Sequence, residues 1–176
     1  MSDWAGTGAA VAPSDWAGTG SVCSGPIKEQ VVTAILAALA EISAANGYRC
    51  DGVTITRPRR TGERFSPKHL GISLVQGDEV RDEENENSSM HAWRLTVFLD
   101  LCYRTSEASA VAMDTGLNLL EADVRQALMA DWRLGGLGWI TLGPSVPAAG
   151  ESGLEATSIE LAVRYRTQYT NPYTQT

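Results

Sequence analysis

Long apolar runs are missing from this sequence. The longest apolar stretch, from Val31 to Ala40, contains Thr33 and is shorter than the roughly 20 residues that a membrane-spanning helix needs. The N-terminus also lacks the basic segment and the long apolar segment of a secretory signal. We therefore expect a soluble protein that is not secreted by the usual route and that has no membrane partner.

Cysteine and histidine are scarce. Cys23, Cys50 and Cys102 are odd in number and irregularly spaced, which is typical neither of a disulfide framework nor of a zinc site. His69 and His91 lack the neighbouring histidines, cysteines or carboxylates of a metal site. We expect reduced thiols, surface histidines and no metal or other cofactor.

Catalytic signatures are also missing. The sequence has no G-x-S-x-G segment and no Walker A segment, and no cysteine has an evident base beside it. The glycine-rich run from Gly135 to Gly138 follows a predicted helix, whereas a phosphate-binding loop precedes one. The acidic residues between 78 and 86 lack the ligand spacing and the glycine of a calcium loop. We therefore expect no enzyme activity and no catalytic residue.

Positive charge is in the minority, with 14 Lys and Arg against 21 Asp and Glu and a net charge of −7. Non-specific DNA binding depends on cationic side chains that neutralise phosphates, so this balance argues against it. The 176 residues, of which 43% are hydrophobic, are enough for one domain with a real core.

Two segments carry apolar residues at helical spacing. Pro26 is expected to begin the first helix and Asn46-Gly47 to end it. Ser106-Glu107 is expected to begin the second helix, which should end near Asp131 to Arg133. The apolar stripes are Ile27, Val31, Ile35, Leu39 and Ile42 in the first helix, and Met113, Leu117, Leu120, Val124 and Leu128 in the second.

Alternating or β-branched residues predict five strands. They are Val53–Thr56, Leu70–Val75, Met90–Arg104, Gly138–Leu142 and Thr157–Thr167, with polar loops expected at 77–89 and 144–153. The order helix, three strands, helix, two strands indicates an α+β fold. We expect one mainly antiparallel or mixed sheet of about five strands, with two amphipathic helices packed on one face, long loops and terminal arms.

The chain is expected to divide into a flexible N-terminal arm at residues 1–25, a domain at 26–168 and a C-terminal tail at 169–176. In the arm the heptapeptide SDWAGTG occurs twice, beginning at Ser2 and again at Ser14. Its Gly and Ser content predicts flexibility, and each copy carries one tryptophan that could anchor the arm in a partner's pocket. A recent duplication or a cloning artefact without a role is the alternative interpretation.

Opposite charges are concentrated in two further segments. Arg57 to Lys68 is the one basic segment, and residues 78–86 hold six acidic residues against Arg81. A charge run is usually a solvated loop; the functional alternative is a loop that docks on an oppositely charged neighbour, such as another copy of the chain. The candidate interaction residues are Trp4, Trp16, Arg57, Arg59, Arg60, Arg64, Asp78, Glu79, Asp82, Glu83, Glu84, Glu86, Tyr169 and Tyr173.

From Ile27 to Tyr173 the chain resembles the tail-terminator (tail-completion) proteins of tailed bacteriophages. The resemblance covers most of the chain, is spread along it and leaves out the N-terminal arm. It lies in a first helix leading to Ala45-Asn46-Gly47-Tyr48, the strand Trp93–Leu99, the helix segment Leu119–Leu128, the run Asp131–Gly136, and a last strand ending Val163–Thr167 before Asn171-Pro172-Tyr173.

The resemblance implies helices against a mixed or antiparallel sheet, and a ring, usually a hexamer, on the head-proximal end of the tail tube. Such a ring stops tube polymerisation, joins the tail to the neck and lets DNA pass through its lumen. The implied partners are further copies of the chain, the tail tube protein, the head–tail connector or neck protein and, in a contractile tail, the sheath. The implied location is the virion, and no catalytic residues are implied.

A ring places two different surfaces of neighbouring subunits in contact. The basic and acidic segments could pair across subunits or lie on different ring surfaces, and Trp4 and Trp16 could dock on a neck or tail protein. The alternatives are a head–tail connector or neck ring protein, a binding module or enzyme inhibitor with an α+β core outside phages, and an enzyme whose site forms only in the oligomer.

Overall fold

The computed structural model describes residues 25–57, 69–87, 89–104, 110–148 and 154–174. The candidate residues Trp4, Trp16, Arg59, Arg60 and Arg64 lie outside these ranges, as does the expected helix start at Ser106-Glu107. The helices and strands are α1 Ile27–Ala40, β1 Thr54–Thr56, β2 Leu70–Arg81, β3 Met90–Arg104, α2 Ala110–Ala130, β4 Gly138–Ala148 and β5 Leu154–Gln168. The predicted order of helices and strands is confirmed.

The five strands form one sheet in the order β1-β2-β3-β5-β4. β1 is parallel to β2, and every other neighbouring pair is antiparallel. The sheet is therefore mixed, with its single parallel pair at one edge. The predicted α+β class with a mixed, mainly antiparallel sheet of five strands is confirmed.

The core lies between the two helices and one face of the sheet. On β3 the buried residues Leu95, Val97, Leu99 and Leu101 alternate with more exposed ones, as the period of two predicted. The helix stripes meet them, because the side chains of one helical face recur every three or four residues. The helical residues buried in this core are Ile27, Val31, Val32, Ile35, Leu39, Leu120, Val124, Ala127 and Leu128.

The prediction of a polar loop at 77–89 was wrong at its beginning. β2 continues to Arg81, and beyond an irregularity between Gln76 and Glu79 it still pairs with β3. Gly77 allows this irregularity, since a Cβ there would lie 2.9 Å from the ring of Phe98. Pairing with the long neighbouring strand therefore overrides the polar composition of the segment.

Two further boundaries differ from the predictions. α1 ends at Ala40, and Asn46-Gly47 instead ends a separate 3-10 turn, where Gly47 has a φ of 86°. β4 continues past Leu142 to Ala148 and absorbs Pro144 in a second irregularity between Leu142 and Ser145. An edge strand can accept proline because one side of it makes no ladder hydrogen bonds.

Asp123 is a buried carboxylate that fixes the chain between α1 and β1. It lies on α2, is 2% exposed, and its Oδ2 accepts hydrogen bonds from the backbone N–H groups of Arg49 (2.9 Å) and Cys50 (2.7 Å). Hydrogen bonds to a charged acceptor are stronger than neutral ones. Asp123 thereby ties the approach to β1 to the second helix.

Asp123→Ala is expected to lower the free energy of unfolding by about 2–3 kcal/mol, because two backbone donors lose their acceptor where water has little access. Asp123→Asn is the matched control, since its carbonyl oxygen can still accept both bonds, and it should cost less. Urea unfolding at neutral pH measures both variants. Equal losses in the two variants would contradict this role.

Candidate interaction surface

The sheet face opposite the helices, called the open face below, is not covered by any helix or strand of the described ranges. Four large apolar side chains are exposed on it: Phe98 at 36%, Trp139 at 41%, Val80 at 42% and Val146 at 58%. Towards the other end of β2 and β3 the same side of the sheet is buried, as Ser73 and Cys102 show. A contiguous patch of exposed apolar side chains is typical of a contact surface, whereas single exposed apolar residues are normal.

Three arginines gather on the open face, where they form the arginine cluster of Arg94, Arg164 and Arg166. Arg94 on β3 lies directly opposite Arg164 on β5, and Trp139 on β4 lies opposite Arg164 on the other side. The guanidinium carbon of Arg166 is 5.9 Å from the centroid of the Trp139 ring. Guanidinium groups beside an indole form a site that suits anionic and aromatic ligand groups.

No pattern in the sequence brings these three arginines together. The signal was their period-two position in Met90–Arg104 and Thr157–Thr167. Only the register, with Arg94 opposite Arg164, makes them one cluster. Arg164 forms an ion pair with Asp82, whose Oδ2 lies 3.4 Å from Arg164 Nε. Arg94 is exposed and has no ion pair within the described part of the chain.

The β4 edge of the sheet offers little room for a further strand, whereas at the other edge β1 covers only Gly71–Ser73 of β2. β1 has only three residues. The start of β4 is occupied, because the N–H groups of Gly138 and Ile140 donate to the carbonyls of Arg133 (3.3 Å) and Trp132 (2.9 Å). Further along β4, the prolines at 144 and 147 have no N–H to offer. Short edge strands and edge prolines oppose strand addition.

Of the six predicted acidic residues, Glu79 is engaged inside the domain. Its carboxylate accepts a hydrogen bond from Lys28 Nζ at 3.0 Å and another from the hydroxyl of the buried Tyr165. Glu79 points inward because it follows the irregularity in β2 and pairs with Leu95. It therefore joins the start of α1 to the sheet and is not free for a partner.

Glu86 is also engaged. Its carboxylate accepts a hydrogen bond from Arg81 Nη2 at 2.8 Å and lies 3.2 Å from His91 Nδ1. The Arg81 guanidinium, helped by His91, lowers the pKa of Glu86 to about 2. Together with Asp82, which pairs with Arg164, three of the six acids serve contacts within the chain.

The remaining acids are Asp78, Glu83 and Glu84. All three are exposed, and none forms an ion pair with a described residue. They lie at the end of β2 and in the 3-10 turn that follows it. These free carboxylates are the part of the predicted acidic segment that remains available at the surface.

Arg57, the first residue of the basic segment, is bound within its own domain. Its Nη2 donates to Glu29 Oε2 at 2.9 Å and to Gln76 Oε1 at 3.2 Å. The hydrogen bond from Arg57 lowers the pKa of Glu29 below its ordinary value. Arg57 therefore stabilises the first turn of α1 against β2 and is not free to bind a partner.

The C-terminal tail places its two tyrosines at the surface. The ring centroid of Tyr169 lies 3.9 Å from that of His91, and about half of the tyrosine side chain remains exposed. Tyr173 is exposed, and its backbone N–H donates to the side-chain carbonyl of Asn171. The carbonyl of Pro172 accepts a bond from the N–H of Ile27 at 3.0 Å, so the tail lies against the start of α1.

The two described cysteines are buried free thiols. Burial raises the pKa of Cys50 to about 12, with a further contribution from its hydrogen bond with Asp123. Burial also raises the pKa of Cys102, and the nearby Asp100 adds to the effect. Thiols held in the neutral form are poor nucleophiles and poor metal ligands.

Within the described ranges, no group of three or more His, Cys, Asp and Glu residues is arranged to hold a metal ion. None of the described helices is long and apolar enough to cross a membrane. No protein-family model and no curated protein matches the chain.

In a Cys23→Ser variant, we expect the folded chain to react with iodoacetamide at pH 8 at least about a hundredfold more slowly than the denatured chain, because Cys50 and Cys102 are buried and neutral. Mass spectrometry of timed samples measures the rate. Equal rates in the folded and the denatured chain would contradict the burial of the two neutral thiols.

The same burial makes the stability of the domain depend on pH. Because the pKa of Cys50 rises on folding from 9.0, the stability that this thiol contributes is present below pH 9.0 and is lost as the pH rises towards 12.

Arg94→Glu is expected to raise the free energy of unfolding by about 0.5 kcal/mol, since it replaces two like charges on directly opposite residues by an attractive pair. Arg94→Gln, which removes the repulsion without adding attraction, should gain less. Urea unfolding at low salt is the measurement, and the gain should shrink as salt is added. A loss of stability in both variants would show that Arg94 supports the fold.

Proposed function

We propose that this chain is a structural virion protein that forms a ring on the head-proximal end of a bacteriophage tail tube. The ring ends tube polymerisation and joins the tail to the neck, and DNA passes through its lumen. The family resemblance of the segment from Ile27 to Tyr173 supports this role, and a mixed sheet with helices on one face is the fold that the resemblance implies.

The observation that carries the proposal is the open face. A mainly antiparallel sheet commonly has one solvated face, and here that face exposes the large apolar residues Val80, Phe98, Trp139 and Val146. The prolines of β4 oppose strand addition at that edge of the sheet. A face of this kind suits contacts between copies, in which each subunit presents one surface to a different surface of its neighbour.

The free carboxylates suit the passage of DNA. DNA binds proteins mainly through cations that neutralise its phosphates, and the net charge of −7 works against such binding. We assign Asp78, Glu83 and Glu84 to the lumen or to the surface that meets the adjoining ring. In either place they would repel phosphates and let DNA slide.

The basic segment is assigned to the contact between subunits, with one refinement. Arg57 is engaged with Glu29 and Gln76, so the residues proposed to reach a neighbouring copy are Arg59 and Arg60, together with Arg64. The other proposed partners are the tail tube protein, the connector or neck protein and, in a contractile tail, the sheath.

We expect the purified chain to form rings, and Arg59→Glu/Arg60→Glu to convert them into smaller species, because the reversal removes attraction to an acidic neighbour and adds repulsion. Size-exclusion chromatography with light scattering measures the mass. The matched control is Arg49→Glu/Arg133→Glu, which reverses two exposed arginines outside the basic segment and should leave the rings intact.

Two results would count against this proposal. Rings of unchanged mass in the Arg59→Glu/Arg60→Glu variant would refute the subunit contact. A stable monomer in the unaltered chain, at concentrations where ring proteins assemble, would refute the ring itself.

A further inference from the structure

We propose that the arginine cluster on the open face binds the Asp-Trp units of the N-terminal arm, Asp3-Trp4 and Asp15-Trp16. This assigns the binding site of the arm to the chain itself, in the same copy or in an adjacent one, and not to a neck or tail protein. The proposal depends on the chemistry of the arm and the open face, and it holds whether or not the copies close into a ring.

The two partners are chemically complementary. Each repeat presents a carboxylate directly beside an indole, and residues 1–25 contain two aspartates and no lysine or arginine. The open face presents the guanidinium groups of Arg94 and Arg164 beside the exposed indole of Trp139. Guanidinium groups bind carboxylates through paired hydrogen bonds, and both guanidinium and indole stack on a second indole.

The arginine cluster concentrates positive charge that an anion could neutralise. Arg94 and Arg164 are like charges on directly opposite residues, an arrangement that opposes folding. Asp82 lies beside Arg164 only, so Arg94 has no anionic partner among the described residues. A carboxylate bound between the two guanidinium groups would remove this repulsion, and an aspartate of the arm supplies one.

The arm begins within reach of the cluster. Its last residue, Gly25, accepts a hydrogen bond from the Gln30 side chain at 2.7 Å, and the next turn is held by Pro172 through Ile27. Pro172 belongs to the tail that follows β5, and Arg166 lies near that end of β5. An extended arm of 24 residues spans up to about 80 Å, which is enough to reach this face on its own copy or on a neighbour.

The duplication gains a physical role in this arrangement. Two identical Asp-Trp units on one arm raise the effective concentration of the binding group near the cluster, and they allow one arm to contact two faces. Each Asp-Trp unit binds weakly by itself, but where several copies of the chain lie side by side, their adjacent open faces would together hold the arms.

Photo-crosslinking of the full-length chain tests the proposal. With p-benzoylphenylalanine in place of Trp16, we expect crosslinks on peptides of β3, β4 and β5 that carry open-face residues, identified by mass spectrometry. Arg94→Glu/Arg164→Glu should lower the crosslink yield by about tenfold, because it replaces two attractive charges by repulsive ones. Arg49→Glu/Arg133→Glu is the charge-matched control and should keep the yield.

A charge exchange makes the test specific. Asp3→Arg/Asp15→Arg should lose the crosslinks in the unaltered domain and regain them in the Arg94→Glu/Arg164→Glu domain, which a loss of folding could not produce. Circular dichroism measures whether each variant is folded. If Arg94→Glu/Arg164→Glu does not fold, Arg94→Gln replaces it in the test, with an expected crosslink yield between those of the unaltered chain and the double variant.

Crosslinks confined to the helices, crosslinks that appear only when a neck or tail protein is added, or a yield unaffected by charge reversal would each overturn the proposal. The result is independent of the ring. If light scattering finds a monomer while crosslinks still map to the open face, the proposed function fails and the arm site stands. If rings form without these crosslinks, the arm site fails alone.

Discussion

Two helices cover one face of a five-stranded sheet, and the other features of the molecule follow from this single layer of cover. The core cluster lies on the side of the helices, whereas Phe98, Trp139, Arg94 and Arg164 are exposed on the other side. At one edge of the sheet, β4 is blocked by its neighbouring turn and by proline.

Several charged residues already form ion pairs within the domain, so fewer of them remain as candidates for contacts with other chains. Arg57, Glu79 and Glu86, all candidates for interaction from the sequence, have partners in their own chain. Among the acidic residues of the segment, Asp78, Glu83 and Glu84 form no ion pair with a described residue, and on the open face Arg94 forms none.

The sequence predicted what depends on local periodicity. The buried face of β3, the stripes of both helices and the order of the elements follow from spacings that a short window contains. The extension of β2 through Glu79 did not, because pairing with β3 overrides its polar composition. The arginine cluster and the hydrogen bonds of Asp123 with Arg49 and Cys50 could not be predicted either. Each of them joins residues that are far apart in the chain, and no local pattern shows which of these residues meet.

The most direct measurement is the position of the chain in an intact particle, observed by electron microscopy with gold-labelled antibodies against the domain. A ring that caps the tail tube predicts label at the head-proximal end of the tail, between tube and neck. Label at the tail tip or along the head, or particles that carry no copy of the chain, would contradict the account.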